Sequence, residues 1–225
     1  MASRTARDRE ERSDEPSYHE GDRGVCTMHL VRHGTTTMNV ENRYRGRRDV
    51  PLDAQGWADA VDAARVLSTV GLTAVYANPL RRTINTAQVI ADECRIPDVR
   101  IIHSLVNIDY GEWEGMTAEE AAADSPDAYE TYKTDPFRAA CPNGEKLADA
   151  TDRMEDAIRL IAGRHVGQHV AAVTHAVMIR LIVARLVGVA GERWRIPVGR
   201  GSITTLEAEG DQIEVVDLPT GDDID

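Results

Sequence analysis

The sequence predicts an α/β fold: a three-layer sandwich with a mostly parallel central sheet, helices on both faces and an inserted helical and loop lid. Three observations predict it. Short apolar runs alternate with amphipathic segments of helical period along most of the chain, the pattern that builds a parallel sheet between helical layers. One stretch, from about 106 to 143, breaks that alternation. Polar clusters rich in histidine and arginine fall just after predicted strands, where parallel sheets gather their ligands.

The elements follow in order. Residues 1–24, including "SRTARDREERSDEPSYHEGDRG", have almost nothing apolar to bury and are expected to be a disordered polar tail. "MHLVR" reads as the first buried strand. "AQGWADAVDAARVLSTV" reads as a helix with Trp57, Val61, Ala64 and Leu67 at helical spacing, behind an N-cap at Asp53. "TAVYAN" is the second strand. "LRRTINTAQVIADEC" is the next helix, burying Leu80, Ile84, Ala87 and Ile90, and "VRIIHSL" the third strand.

The region 106–143 carries two short helices. One is opened by a Thr117/Glu120 capping box, the other by Ser125 before Pro126, amid loops rich in Pro, Asp and Gly. That is the composition of an insertion that covers a site. A helix over about 145–163 turns Leu147, Ala150, Met154, Ile158 and Ile161 inward. "HVAAVT" is the fourth strand, with a helix over 176–187. "SITTLEAEGDQIEVVDL" closes the fold as a hairpin around Glu209-Gly210. One domain is expected over 25–218, followed by an acidic tail over 219–225.

Composition excludes several functions. A net charge of −12 argues against a general nucleic-acid or anionic-membrane surface, so an anionic substrate needs a local arginine cluster to collect it. Cys26, Cys94 and Cys141 are widely spaced and form no CxxC pair, which indicates neither a zinc site nor a disulfide framework. A reducing cytoplasm is the simplest setting. The longest apolar run, "HVAAVTHAVMIRLIVARLVGVA", is interrupted by His175, Arg180 and Arg185 and reads as a buried strand entering a core helix, not a membrane span. The sequence sets no oligomeric state and leaves a homodimer open.

Three polar clusters fall at strand ends: Arg32-His33-Gly34, "NPLRRTINTA" with Arg81 and Arg82, and Thr174-His175-Ala176. Two histidines without carboxylate or thiolate partners at suitable spacing make no metal site, and neither a metal nor another cofactor is expected. With arginines beside them, phosphoryl transfer is the better reading. A neutral imidazole can attack phosphorus, and guanidinium forks match phosphate oxygens. The N-terminal end of the helix after His175 also favours an anion. Arg81 reads as a surface charge, and His29, His103, His165 and His169 as structural.

"LVRHGTTTMNVENRYRGRRDVPLDAQG", "NPLRRTINTA", "IDYGEWEG", "CPNGEKLADATDRM" and "VTHAVMIR" resemble, in order, the motifs of the histidine phosphatase superfamily, in its phosphoglycerate-mutase-like branch. The resemblance spans about Met28 to Leu218. It implies His33 as the phosphate-accepting nucleophile and Arg32, Arg82 and His175 as the rest of the phosphate pocket. It implies that Asn39 helps hold the phosphoryl group and that Arg45 and Gly46 touch substrate. Tyr110 and Ala176 are further candidates for the substrate side. Tyr110 and Trp113 otherwise serve as packing for the insertion.

One departure bears on mechanism. The family has Leu-x-Glu where this chain has Leu105-Val106-Asn107, so Asn107 stands at the general acid–base position. An amide does not titrate near neutral pH. Losing a general acid–base typically costs about 10²–10⁴ in rate. Asp109, Glu112 or Glu114 could substitute, or the leaving group could need no proton. Smaller departures are Asn78 and Lys146 for serines and Ala176 for glycine. The expected function is phosphohistidine-dependent hydrolysis of a small phosphomonoester of a sugar, nucleoside or other metabolite. Asn107 motivates an alternative, a lyase or dehydratase acting on a polyhydroxylated sugar or nucleoside with His33 and His175 as acid and base. A non-catalytic phosphate-binding module is the third reading.

Overall fold

The computed structural model describes residues 24–189 and 191–219. Apart from Gly24 and Pro219, the predicted polar tails lie outside the described residues. The elements are β1 (Cys26–Arg32), α1 (Thr37–Val40), α2 (Ala54–Leu67), β2 (Leu72–Ala77), α3 (Arg81–Cys94), β3 (Val99–Ile101), α4 (Ala118–Asp124), α5 (Pro126–Thr134), α6 (Leu147–Arg164), β4 (His169–Thr174), α7 (Ala176–Val187), β5 (Ile203–Glu209) and β6 (Gln212–Asp217). Short 3₁₀ turns lie at His103–Leu105, Gly111–Trp113 and Gly191–Trp194.

The sheet runs β3-β2-β4-β1-β5-β6. The first four strands pair in parallel, and β5 and β6 extend the sheet antiparallel. The central strands are covered on both faces, so their alternate residues enter two different cores. Ala74, Tyr76, Val170 and Ala172 face the larger core with α6 and α7, whereas Val75, Ala77, Ala171 and Val173 face a smaller one with α2 and α3. Helix α7 is buried all round from Ala176 to Ala184, Arg180 included, as expected of an apolar core helix. Among the described residues no helix is long and apolar enough to cross a membrane.

Two expectations are corrected. Helix α2 buries Gly56, Ala60, Ala63, Ala64 and Leu67, while Trp57 and Val61 are 44% and 38% exposed. The cause is a close approach: a Cβ on Gly56 would lie 2.1 Å from Thr35 O, and one on Gly34 would lie 2.2 Å from Gly56 O. Only a face of small residues can sit that near the loop after β1, so the large residues turn out to solvent. The third strand stops at Ile101 and does not run on to Leu105. Beyond it, side chains take the carbonyls that a longer ladder would use: Arg153 Nη1 donates to Ser104 O and Val106 O, both at 2.7 Å.

Of the two helix starts expected in the insertion, the Thr117/Glu120 box closes as a cap, whereas Ser125 sits at the N-cap of α5 without a side-chain cap. Thr117 Oγ1 accepts from Glu120 N while the Glu120 carboxylate accepts from Thr117 N, and Pro126 opens α5. Lys146 likewise occupies the N-cap of α6, in an extended conformation, and makes no side-chain cap. Lys146→Ser supplies that acceptor. It is expected to stabilise the protein by about 1 kcal/mol, which thermal denaturation should register as a rise of roughly 2–4 °C at this chain length.

Candidate active site

The parallel pairing of β1 with β4 puts Arg32 opposite Thr174, so the next residues, His33 and His175, emerge side by side. His33 N donates to Thr174 O at 3.1 Å, and the two imidazole centroids are 5.1 Å apart at 66°. Both rings are buried, with 2% of each residue exposed.

The partners of each ring fix its tautomer. His33 Nδ1 lies 2.7 Å from Gly34 O, and a carbonyl only accepts, so Nδ1 carries the proton and Nε2 keeps the lone pair. His175 is set by Asn78. The Asn78 Oδ1 accepts from Leu80 N at 3.1 Å, which orients the amide. Its Nδ2 then donates to Leu105 O and to His175 Nε2, each at 3.0 Å. His175 Nε2 therefore accepts, and its proton sits on Nδ1, which is buried without a protein partner.

Burial, then the guanidinium of Arg82 and after it Arg45 and Arg32, hold His33 well below the ordinary histidine range, against a smaller pull upward from Gly34 O. Burial and Arg82 hold His175 well below it too. Both rings are neutral at pH 7. Arg82 is itself brought down to about 9, by burial and then by Arg45, and stays charged. It is fully buried, with Nη1 donating to Arg48 O at 2.6 Å and Nη2 to Gly46 O at 2.9 Å. Arg32, also fully buried, donates to Val198 O.

A cavity of about 570 Å³ opens over the two histidines. His33, Arg45, Asn107, Tyr110, His175 and Ala176 line it. Arg32, Asn39, Gly46 and Arg82 are buried behind that wall and not on it. Gly46 contributes its carbonyl, which accepts from Arg82 and, at 3.3 Å, from Asn107 Nδ2. Asn39 uses Oδ1 to accept from Thr36 N and Oγ1, both at 2.9 Å, leaving Nδ2 buried without a protein partner. Asn107 has the opposite sense: with Nδ2 on Gly46 O, its Oδ1 is the buried atom that lacks a protein partner.

The profile of the histidine phosphatase superfamily (branch 1) matches residues 28–220. The chain belongs to that superfamily. It is 30% identical over 181 residues to phosphoserine phosphatase 1 of Hydrogenobacter thermophilus, covering 80% of this chain and 85% of that one. It is 34% identical over 164 residues to a metal-independent phosphoserine phosphatase of Arabidopsis thaliana, covering 72% and 69%. Among solved structures, Bacillus stearothermophilus YhfR superposes with a TM-score of 0.78 at 30% identity, over 85% of this chain and 96% of that one. The family makes the chain a phosphatase-type hydrolase.

This histidine phosphatase shows what several motif residues do. Gly111 and Gly144 touch backbone to backbone: a Cβ on Gly111 would meet Pro142 O at 2.1 Å, and one on Gly144 would meet Asp109 O at 2.4 Å. Trp113 is fully buried in an aromatic cluster with Tyr129 and Tyr132, and Tyr110 is the member of the pair that reaches the cavity. Asp109, Glu112 and Glu114, the three carboxylates closest in sequence to Asn107, do not line the cavity. Asp109 accepts from Gly111 N, Glu112 from Asn143 Nδ2 and Glu114 from Arg47 N. Sequence reasoning missed Glu41, Tyr44, Glu119, Tyr132, Arg180 and Arg195, which do line it. Only Arg180 left a signal, as a charge inside an apolar helix. Among the described residues no group of three or more His, Cys, Asp or Glu could hold a metal ion.

Imidazole ¹⁵N NMR should find the proton on Nδ1 of both His33 and His175. Protonating His175 would set Nε2–H against the Asn78 amide protons. Asn78→Asp replaces that donor with an acceptor and is expected to raise the pH at which His175 titrates. Two histidines held below their unfolded values also bind fewer protons than the unfolded chain does. Their contribution to stability is complete above the ordinary histidine pKa and declines below it, by up to about 1.4 kcal/mol per pH unit for each ring. Urea midpoints should accordingly fall between pH 7.5 and 5.5, and His33→Asn/His175→Asn should flatten that fall.

Proposed function

We infer that the protein hydrolyses a small phosphomonoester by carrying its phosphoryl group on His33. The observation that carries this reading is a buried, neutral His33 with its lone pair on Nε2, under the combined field of Arg82, Arg45 and Arg32. Neutrality keeps the nucleophile active, and three cations offset the charge of a phosphoryl group that would otherwise be repelled by a chain of net charge −12. In the first step the Nε2–P bond forms as the P–O bond to the leaving group breaks. In the second, water adds to phosphorus, the P–N bond breaks and phosphate departs. His175, donating from Nδ1, and the guanidinium groups stabilise the equatorial oxygens in both steps.

The cavity supports a substrate class. Its volume of about 570 Å³ suits a metabolite-sized molecule. Arg43, Arg45, Arg180 and Arg195 on the wall, against Glu41 and Glu119, favour a substrate with a second charged or strongly polar group. The relatives named phosphoserine phosphatases act on such a molecule, and the first panel holds phosphoserine beside sugar, nucleoside and aryl phosphates.

Intact-mass measurement of protein mixed with this panel should find a phosphoryl adduct that is absent in His33→Ala, with phosphate release lowered about 10³-fold or more in that variant. Turnover independent of His33 would refute the phosphohistidine route. A product lighter by one water, with no phosphate released, would establish the lyase reading instead.

A further inference from the structure

We propose that this site acts on phosphates of acidic oxygens, meaning aryl, enol or acyl phosphates, whose leaving group departs as a stable anion without a proton from the protein. The proposal rests on the phosphohistidine reading and narrows its substrate.

It follows from what the cavity wall can and cannot donate. Asn107 lines the cavity with an amide, which does not titrate near neutral pH: its Nδ2 is engaged by Gly46 O, and its Oδ1, buried without a protein partner, can only accept. The neighbouring carboxylates Asp109, Glu112 and Glu114 are engaged elsewhere, as described above. Glu119 lines the cavity but is exposed, and its own backbone N–H and Thr117 at the start of α4 hold its carboxyl below the usual range, so it is ionised at neutral pH. Glu41 lies at the rim, 61% exposed and 3.7 Å from Arg43 Nε. Burial pushes the phenols of Tyr44, Tyr110 and Tyr132 up, away from any pKa useful for proton transfer near pH 7. His175 is neutral, and its one N–H serves the phosphoryl side. The guanidinium groups on the wall are too weakly acidic to give up a proton, and Arg82, brought down to about 9, is buried with Nη1 and Nη2 donating to the carbonyls of Arg48 and Gly46. Among the described residues, then, the wall is rich in cations that can receive an anion and has no group poised to protonate an alkoxide.

The steps balance without one. His33 Nε2 forms the bond to phosphorus, and the leaving oxygen keeps the electron pair of the broken P–O bond, departing as a phenolate, enolate or carboxylate toward the arginine-lined wall. Water then attacks the phosphohistidine, with Asn107 Oδ1 accepting one of its hydrogens and so orienting it. The P–N electron pair returns to Nε2, and the surplus proton passes to a phosphate oxygen or to solvent. An amide orients this water but does not deprotonate it, so the second step is slow and phosphohistidine accumulates.

Rapid-quench kinetics with p-nitrophenyl phosphate, phenyl phosphate and ethyl phosphate test this on the native protein. The expected result is phosphoenzyme formation that slows steeply as the leaving group becomes more basic. The aryl esters should exceed the ethyl ester by about 10²–10⁴-fold, the range a missing general acid commands. A burst of about one phenolate per His33 should precede steady turnover. Asn107→Glu should raise the ethyl phosphate rate by a comparable factor, leave aryl formation within a few-fold and abolish the burst. Equal phosphoenzyme formation from ethyl and aryl esters in the native protein would overturn the proposal while leaving phosphohistidine chemistry intact. No adduct from any ester would overturn the phosphohistidine reading itself.

Discussion

The carbonyl groups of residues 104–107 have no strand to bond to, and the site depends on the side chains that satisfy them. Leu105 O accepts from Asn78 Nδ2 and from Thr174 Oγ1, at 3.0 and 2.9 Å. Arg153 takes Ser104 O, Val106 O and Asn107 O, and is itself held by Glu145, with Nε 2.8 Å from Oε1. Burial pushes the Glu145 carboxyl up, but the bonds and charge of Arg153 outweigh it and bring the carboxyl below its usual range. Leaving buried carbonyls unpaired costs about 1–3 kcal/mol each, so the segment is pinned by that penalty as much as by attraction. The same pins orient two side chains of the cavity. Asn78, while bonding Leu105, sets the tautomer of His175. Arg153, while bonding Asn107, fixes the backbone that presents its amide.

The electrostatics separate a local field from a global one. The chain carries −12, yet guanidinium groups from β1, α3 and the loop after α1 converge on His33. Burial alone would keep an imidazole neutral, and the arginines reinforce it, so the lone pair on His33 Nε2 is available at neutral pH. The cost is that three cations sit together beneath a cavity. An arriving phosphoryl dianion offsets that repulsion, which is why the arrangement suits phosphate better than a neutral substrate.

Much of this placement was legible from the sequence where the candidate residues sit at a strand end or directly after it. Arg32-His33-Gly34, Asn78 to Arg82 and Thr174-His175 each read as strand, loop and helix start, and the parallel pairing brings them to one edge. What was not legible depends on distant partners. The period of α2 is compatible with two faces, and the buried one was settled by the backbone of Thr35 approaching Gly56. The end of β3 was settled by Arg153, which is some fifty positions away in sequence. The cavity wall draws on Glu41, Glu119, Arg180 and Arg195 from four segments, each an ordinary charge in its own context. Asn107 is the reverse case: the sequence singled it out, and the structure added that its Nδ2 is engaged by Gly46 O while its Oδ1 is buried without a protein partner.

The central claim is that His33 Nε2 receives a phosphoryl group under the arginine cluster, and a crystal structure with orthovanadate tests it most directly. The account predicts vanadium at bonding distance from His33 Nε2, with its oxygens met by His175 Nδ1 and by guanidinium groups of Arg32, Arg45 or Arg82. Vanadate held elsewhere in the cavity, or held beside His33 with Nε2 protonated and unbonded, would contradict it.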